Sequence, residues 1–145
     1  RVESLVRFDH AAIFLTYATT ATPIALLALD GRPSIGLIVA TWVGATVGII
    51  LEWAPFHPPA GAVNALFFGF GGVVPVFSPW LIDAFTLGQG IWFLAGLLTF
   101  AVGAFIVGSR HPDPWTNVFG YHEIWHVFVV VATGAHYGLV IDLAW

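Results

Sequence analysis

Apolar residues in this chain run in long unbroken stretches and do not alternate with polar residues. Five stretches each approach the ~20 residues that a helix needs to cross the hydrocarbon layer of a bilayer. Unbroken runs of this length predict helices, because strands with one buried face alternate apolar and polar positions. We therefore predict an all-α integral membrane protein, a five-helix transmembrane bundle in which residues 1–145 form a single domain.

Turn-forming residues set the limits of the predicted spans. The third stretch contains several glycines and Pro75, so we expect that helix to be short or kinked. The spans run from about Phe8 to Leu29, Ser34 to Trp53, Ala60 to Val76, Gly88 to Gly108 and Asn117 to Leu143.

Composition supports a membrane protein and narrows its partners. Hydrophobic residues make up 59% of the chain and charged residues only 8%, whereas a soluble domain has about a quarter charged residues. The chain has four Lys and Arg in total, so it lacks the basic face that nucleic acid requires. It has no cysteine, which excludes disulfides and thiolate metal ligands.

The few cations predict an orientation in the membrane. With five spans, Arg1, Arg7 and Arg110 fall on one side of the bilayer and Arg32 falls on the other. Because cytoplasmic loops carry the excess of positive residues, the N-terminus is predicted to be cytoplasmic and the C-terminus external.

A histidine pair stands at the start of the last stretch, in the sequence HEIWH from His122 to His126. Residues four apart lie on one face of a helix, so both imidazoles can reach one metal ion. Imidazole is a common zinc ligand, and three protein ligands with a water form a catalytic zinc site. The same spacing occurs in zincin proteases, which leaves an intramembrane protease open as an alternative.

Polar residues also form a stripe on the first helix. At about 100° per residue, Asp9 shares one face with Thr16 and Thr20. Polar side chains in lipid-buried helices face the bundle interior, because an unpaired charge at mid-membrane costs about 2.5–3.5 kcal/mol. The first and fifth helices start from the same side, so we expect Asp9 and the histidine pair to face each other near the cytoplasmic boundary.

Two segments resemble motifs of the hemolysin III proteins, which belong with the progestin and adipoQ receptors. Residues 9–15 (DHAAIFL), with Thr20, Thr22 and Pro23, resemble the third-helix motif of that family. Pro114-Trp115, residues 118–126 (VFGYHEIWH) and His136-Tyr137 resemble its seventh-helix motif. The resemblance implies a seven-helix membrane fold. This chain then corresponds to helices three to seven of an N-terminally truncated domain that lacks the first two helices.

The resemblance also implies a ligand set for zinc. In that family, one histidine of the second helix and two of the seventh hold the ion, and the latter two carry over onto His122 and His126. The aspartate beside the metal and its water carries over onto Asp9. The third ligand is expected from an upstream helix pair, or else from His10, Asp9 or a second subunit in a homo-oligomer.

Structural roles are the alternatives for these polar residues. The two histidines can be interior hydrogen-bonded side chains, and Asp9 can cap the first helix. Glu123 is a candidate accessory residue, because the glutamate at this position of the zincin motif activates water. In this family's motif a glutamate at this position is not a metal ligand. His10 is a second candidate accessory residue, for which we favour a structural role. Glu52 is predicted to be a snorkelling or solvated interfacial carboxylate.

The resemblance, together with these residues, implies a zinc-dependent, ceramidase-like hydrolase of the bacterial plasma membrane. Zinc would lower the pKa of bound water toward about 7 and polarise a substrate carbonyl, and Asp9 would orient or deprotonate the water. The substrate predicted from the resemblance is an amide or ester lipid from the bilayer. The alternatives are a pore-forming cytolysin or channel, and a receptor-like membrane protein with a structural zinc.

The orientation can be tested with topology reporters. Fusions after Arg32 and after Trp145 are expected to read as external, because both positions follow an odd number of spans. A fusion after Arg110 is the matched control and is expected to read as cytoplasmic. A cytoplasmic signal at Trp145 would show that one of the five spans does not cross the membrane.

Overall fold

A computed structural model describes residues 2–54, 73, 76–115 and 118–145, and these ranges are predominantly helical. The exceptions are short turns and one isolated bridge between Trp115 and Phe119. The helices are α1 (Val2–Ala28), α2 (Gly31–Trp53), α3 (76–84), α4 (Leu87–Ser109) and α5 (Tyr121–Ala144).

Four of these helices, α1, α2, α4 and α5, are long and apolar enough to cross a membrane. They correspond to the first, second, fourth and fifth predicted spans, which confirms an all-α membrane protein. The predicted third span, 60–76, lies almost entirely outside the described residues. The short helix α3, described over residues 76–84, lies mostly beyond that predicted span and was not predicted from the sequence.

Residue contacts divide the chain into two compact units, Arg1–Ala84 and Phe85–Trp145. In the first unit α1 packs along α2, and in the second α4 packs along α5. Each pair is a helical hairpin and is described separately below.

The interface of α1 with α2 depends on small residues. Phe14 and Ala18 of α1 form a buried cluster with Ala45 of α2. A Cβ atom built on Gly48 would lie 2.6 Å from the Phe14 ring, closer than real Cβ contacts. Gly48 thus gives Phe14 its space, as expected where close packing and not water exclusion holds helices together.

Polar contacts connect the other end of the same hairpin. The Ser34 hydroxyl donates to the backbone carbonyl of Ala25 at 2.8 Å, and the Trp42 indole donates to the Thr22 hydroxyl at 3.0 Å. The connection between α1 and α2 is only two residues long, and Gly31 takes up its tight geometry with a φ of +60°.

In the second hairpin, specific residues cap both ends of α4. The Thr86 hydroxyl accepts from the Gln89 amide, and the Gln89 side chain accepts from the Thr86 amide, which is a capping box at the start of α4. α4 ends at Ser109, and its C-cap residue Arg110 takes the left-handed conformation with a φ of 56°.

The start of α5 differs from the prediction by four residues, since the helix begins at Tyr121 and not at Asn117. The Gly120 amide donates to the Glu123 carboxylate at 2.8 Å, and this contact caps the helix. The backbone bridge between Trp115 and Phe119 belongs to a turn before that cap.

The close approach at Gly48 predicts a large stability effect. Gly48→Val is expected to lower the free energy of unfolding by about 1–3 kcal/mol, because the added methyl groups displace the Phe14 ring. The thermal unfolding midpoint in detergent measures this change. Gly134→Val is the control, since Gly134 has no atom within 4 Å of a Cβ built on it. Equal midpoints for the two variants would contradict the packing role of Gly48.

Candidate metal centre

His122 and His126 lie side by side in the first two turns of α5. Their Nε2 atoms are 3.1 Å apart, and both side chains are partly buried. The ring centroids are 4.8 Å apart with an angle of 72° between the ring planes. The two imidazoles therefore bring the same nitrogen to one point, as their spacing in the sequence predicts.

This separation fits two ligands of one metal ion. Zinc–nitrogen bonds of about 2.0–2.1 Å at tetrahedral angles place two nitrogens about 3.3 Å apart. The same separation allows a hydrogen bond in which one neutral imidazole donates and the other accepts. A metal ion can therefore replace the shared proton with little rearrangement of the rings. The pair fits zinc and the other metal ions that imidazole binds.

The helix start that presents the pair depends on Glu123. Its carboxylate accepts the Gly120 amide hydrogen at the positive end of the helix dipole. Asp113 lies against the same glycine, where a Cβ atom would overlap its carboxylate. Glu123 thus acts as a capping residue of α5. This structural role agrees with the family motif, in which the glutamate is not a ligand.

Asp9 lies within α1, seven residues after the first residue of that helix. A residue at this depth cannot cap the helix, because only the first four amides lack a partner inside the helix. The capping alternative for Asp9 is therefore wrong. Its carboxylate atom Oδ2 is buried, and a buried carboxylate is typical of ligands and positioned bases. Asp9 belongs to the first compact unit and the histidines to the second, so their association stays a prediction.

His10 has the structural contact that we expected for it. Its Nδ1 atom lies 3.0 Å from the Glu52 carboxylate of α2. The Glu52 side chain is only 11% exposed, so the prediction of a solvated interfacial carboxylate is wrong. The physical reason is that α2 ends beside α1, where packing removes Glu52 from water and His10 supplies the compensating donor.

His136 joins α5 to α4 further along the hairpin. Its Nε2 atom lies 3.3 Å from the Phe93 carbonyl oxygen, and a Cβ atom on Gly96 would lie 2.5 Å from the same nitrogen. His136 thus packs between the two helices of this hairpin, while neighbouring Tyr137 is exposed. The sequence carries no indication that His136 packs against Gly96, because Gly96 is one of many glycines in the chain.

The fold and these residues define an α-helical integral membrane protein with a histidine pair suited to metal binding. A profile of the family described as "Haemolysin-III related" matches residues 2–137. The chain therefore belongs to the haemolysin-III-related family, as its sequence motifs predict.

A named relative agrees with this assignment. The chain is 31% identical over 132 residues to "Hemolysin-3" of Bacillus cereus, and the alignment covers 90% of this chain and 57% of the relative. The chain thus spans little more than half the length of that protein. No solved structure matches the chain.

The geometry of the pair predicts metal binding that depends on His126. Purified full-length protein is expected to hold about one zinc per chain, and His126→Ala is expected to lose most of it, since one of about three protein ligands is removed. Zinc content by mass spectrometry measures both.

A matched control separates ligand loss from general damage. His111→Ala removes an exposed histidine of the loop between α4 and α5 and is expected to leave the zinc content unchanged. Intact zinc in His126→Ala would place the ion elsewhere and would leave the histidine pair a structural hydrogen bond.

Proposed function

We propose that this protein is a zinc-dependent hydrolase of the bacterial plasma membrane that cleaves amide or ester bonds of lipids. The observation that carries the proposal is the 3.1 Å approach of the His122 and His126 Nε2 atoms in a helix of membrane-spanning length. Membership of the haemolysin-III-related family supports it, because the matched region contains both histidines and Asp9.

The proposed roles follow from the chemistry of each group. His122 and His126 hold the zinc through Nε2, and Asp9 stands beside them. When bound, zinc supplies a Lewis acid that polarises a substrate carbonyl and makes water more acidic. The Asp9 carboxylate orients the attacking water and takes up its proton at a carboxylate oxygen. The leaving amine or alcohol then receives that proton.

A complete zinc site requires a further protein ligand. We assign the third position to a histidine outside residues 1–145, of the kind that the family carries on its second helix. Asp9, His10 and a residue of a second copy of the chain are the remaining choices. The bond from His10 Nδ1 to Glu52 does not exclude His10, because metal-ligating histidines commonly bond to a carboxylate through their other ring nitrogen.

The surroundings of the pair favour a lipid as substrate. Valines next to His126 on α5 are exposed on a helix of membrane-spanning length, Val127 at 50% and Val130 at 71%. Such side chains contact acyl chains, so a substrate that reaches the pair along this helix has to be apolar. With the N-terminus cytoplasmic, the pair lies near the cytoplasmic face, where lipid head groups begin.

The second candidate function is a pore-forming cytolysin, and one observation favours it. The relative from Bacillus cereus has the name "Hemolysin-3", and a haemolysin releases the contents of cells. A cytolysin would empty calcein-loaded vesicles without any cleavage of lipid. A receptor-like protein with a structural zinc would do neither.

The hydrolase proposal predicts separate effects on metal and activity. Asp9→Asn is expected to keep the zinc while losing hydrolysis of short-chain ceramides and ester lipids in mixed micelles, by about 10²–10⁴-fold, because the variant removes a proton acceptor and keeps a similar shape. Chromatographic product analysis measures cleavage, and mass spectrometry measures zinc.

Asp83→Asn is the control, because Asp83 is an exposed carboxylate on α3. It is expected to keep wild-type activity. Full activity in Asp9→Asn would remove Asp9 from the chemistry. A wild-type protein that empties vesicles and cleaves no lipid would decide for the cytolysin.

A further inference from the structure

Two contacts between α1 and α2 flank Asp9 on either side in the sequence. Phe8, the residue before it, packs edge-to-face on Trp53, with ring centroids 4.9 Å apart at 73°. His10, the residue after it, bonds to Glu52 at 3.0 Å. The partners are therefore the last two residues of α2.

The rotation of α1 about its axis follows from its buried face. Phe14 and Ala18 pack against Ala45 of α2, and at about 100° per residue they lie about 140° and 180° round from Asp9. Asp9 consequently points away from α2. Thr16 and Thr20 lie within about 20° of Asp9 and share that direction.

Phe8 and His10 lie about 100° to either side of Asp9. They therefore flank the face of α1 that α2 covers, one on each edge. A rotation of α1 in one direction pulls His10 away from Glu52, and a rotation in the other direction separates Phe8 from Trp53. The two contacts together resist rotation in both senses.

The His10 contact is the stronger of the two restraints. Glu52 is 11% exposed and His10 is 31% exposed, so the pair is largely removed from water. Breaking the bond would leave a carboxylate buried without its donor, which costs more than losing an exposed ion pair. The Phe8–Trp53 pair adds a weaker edge-to-face attraction to the area that it buries.

We propose that His10 and Glu52, with the Phe8–Trp53 contact, are positioning residues that hold α1 in the rotation that directs the Asp9 carboxylate away from α2. This inference rests on the proposed function in one respect, which is the role of Asp9 beside the metal. In this positioning role His10 acts through its bond to Glu52 and needs no contact with the metal.

A set of three variants tests the inference in full-length protein with Co²⁺ as the metal. Glu52→Ala removes the acceptor and is expected to weaken Co²⁺ binding by about 10–100-fold, the usual effect of losing a group that orients a metal-site residue. Its visible absorption bands are also expected to shift. Glu52→Gln keeps an oxygen that accepts from His10, so it is expected to restore near wild-type affinity and spectrum.

The third variant, Leu37→Ala, is the structural control. Leu37 is buried on α2 and lies about four turns from Glu52. Its truncation therefore destabilises the hairpin without removing the His10–Glu52 or Phe8–Trp53 contact. It is expected to lower the thermal unfolding midpoint while leaving Co²⁺ affinity near that of wild type. Equal losses of affinity in Leu37→Ala and Glu52→Ala, or no loss in Glu52→Ala, would overturn the positioning role.

A second measurement does not depend on metal. The chain has no cysteine, so Thr16→Cys provides a single thiol on the Asp9 face of α1. Its rate of reaction with a maleimide is expected to change several-fold in Glu52→Ala and to stay constant in Glu52→Gln and Leu37→Ala.

The two measurements separate failure of this inference from failure of the proposed function. Wild-type protein that binds no Co²⁺ would overturn the proposed metal centre, and the thiol rates would still decide whether Glu52 holds the rotation of α1. An unchanged thiol reaction rate in Glu52→Ala would overturn the positioning role of Glu52 even if wild-type protein binds Co²⁺ tightly.

Discussion

The bilayer supplies almost no hydrogen bonds, and this constraint governs the described helices. Inside the hydrocarbon layer each polar group has to find its partner within the protein. Threonines of α1 and α2 do so by donating to the carbonyl one turn back, as Thr22 does to Ala18 and Thr41 does to Leu37. Larger polar groups pair between helices, as His10 does with Glu52 and His136 with the Phe93 carbonyl. His10, Glu52 and His136 are therefore each held by a specific partner.

The histidine pair is one solution to the same constraint. The two Nε2 atoms at 3.1 Å can form one hydrogen bond, in which one imidazole donates and the other accepts. A divalent metal satisfies both at once and adds positive charge that a nearby carboxylate can balance. The arrangement that keeps the pair stable in an apolar helix also prepares it for a metal, since both states need the two Nε2 atoms at one point.

Packing in lipid places a second demand on the chain, because apolar side chains gain little by leaving lipid for protein. Close contact has to hold the helices, and glycines allow it at Gly48 against Phe14 and at Gly96 against His136. At Gly48 the consequence reaches the proposed chemistry. The Phe14 contact sets which face of α1 meets α2, and so sets the opposite face, where Asp9 lies.

The sequence alone determined the helical membrane class, the approximate limits of four spans and the histidine pair, because these depend on local hydropathy and on the 3.6-residue period of one helix. The family motifs in residues 9–15 and 118–126 were readable for the same reason, since each lies on one continuous segment.

Tertiary structure decided what no local pattern carries. The packing of α1 on α2 pairs Glu52 with His10 across 42 positions of sequence. Hydropathy alone predicts Glu52 to be an exposed carboxylate at a helix end. Tertiary structure also moved the start of α1 back to Val2, which excludes Asp9 as a cap. Pairings between distant residues depend on how two helices cross and rotate, and that rotation is set by the fit of side chains such as Phe14 against Gly48, which leaves no periodic trace in the sequence.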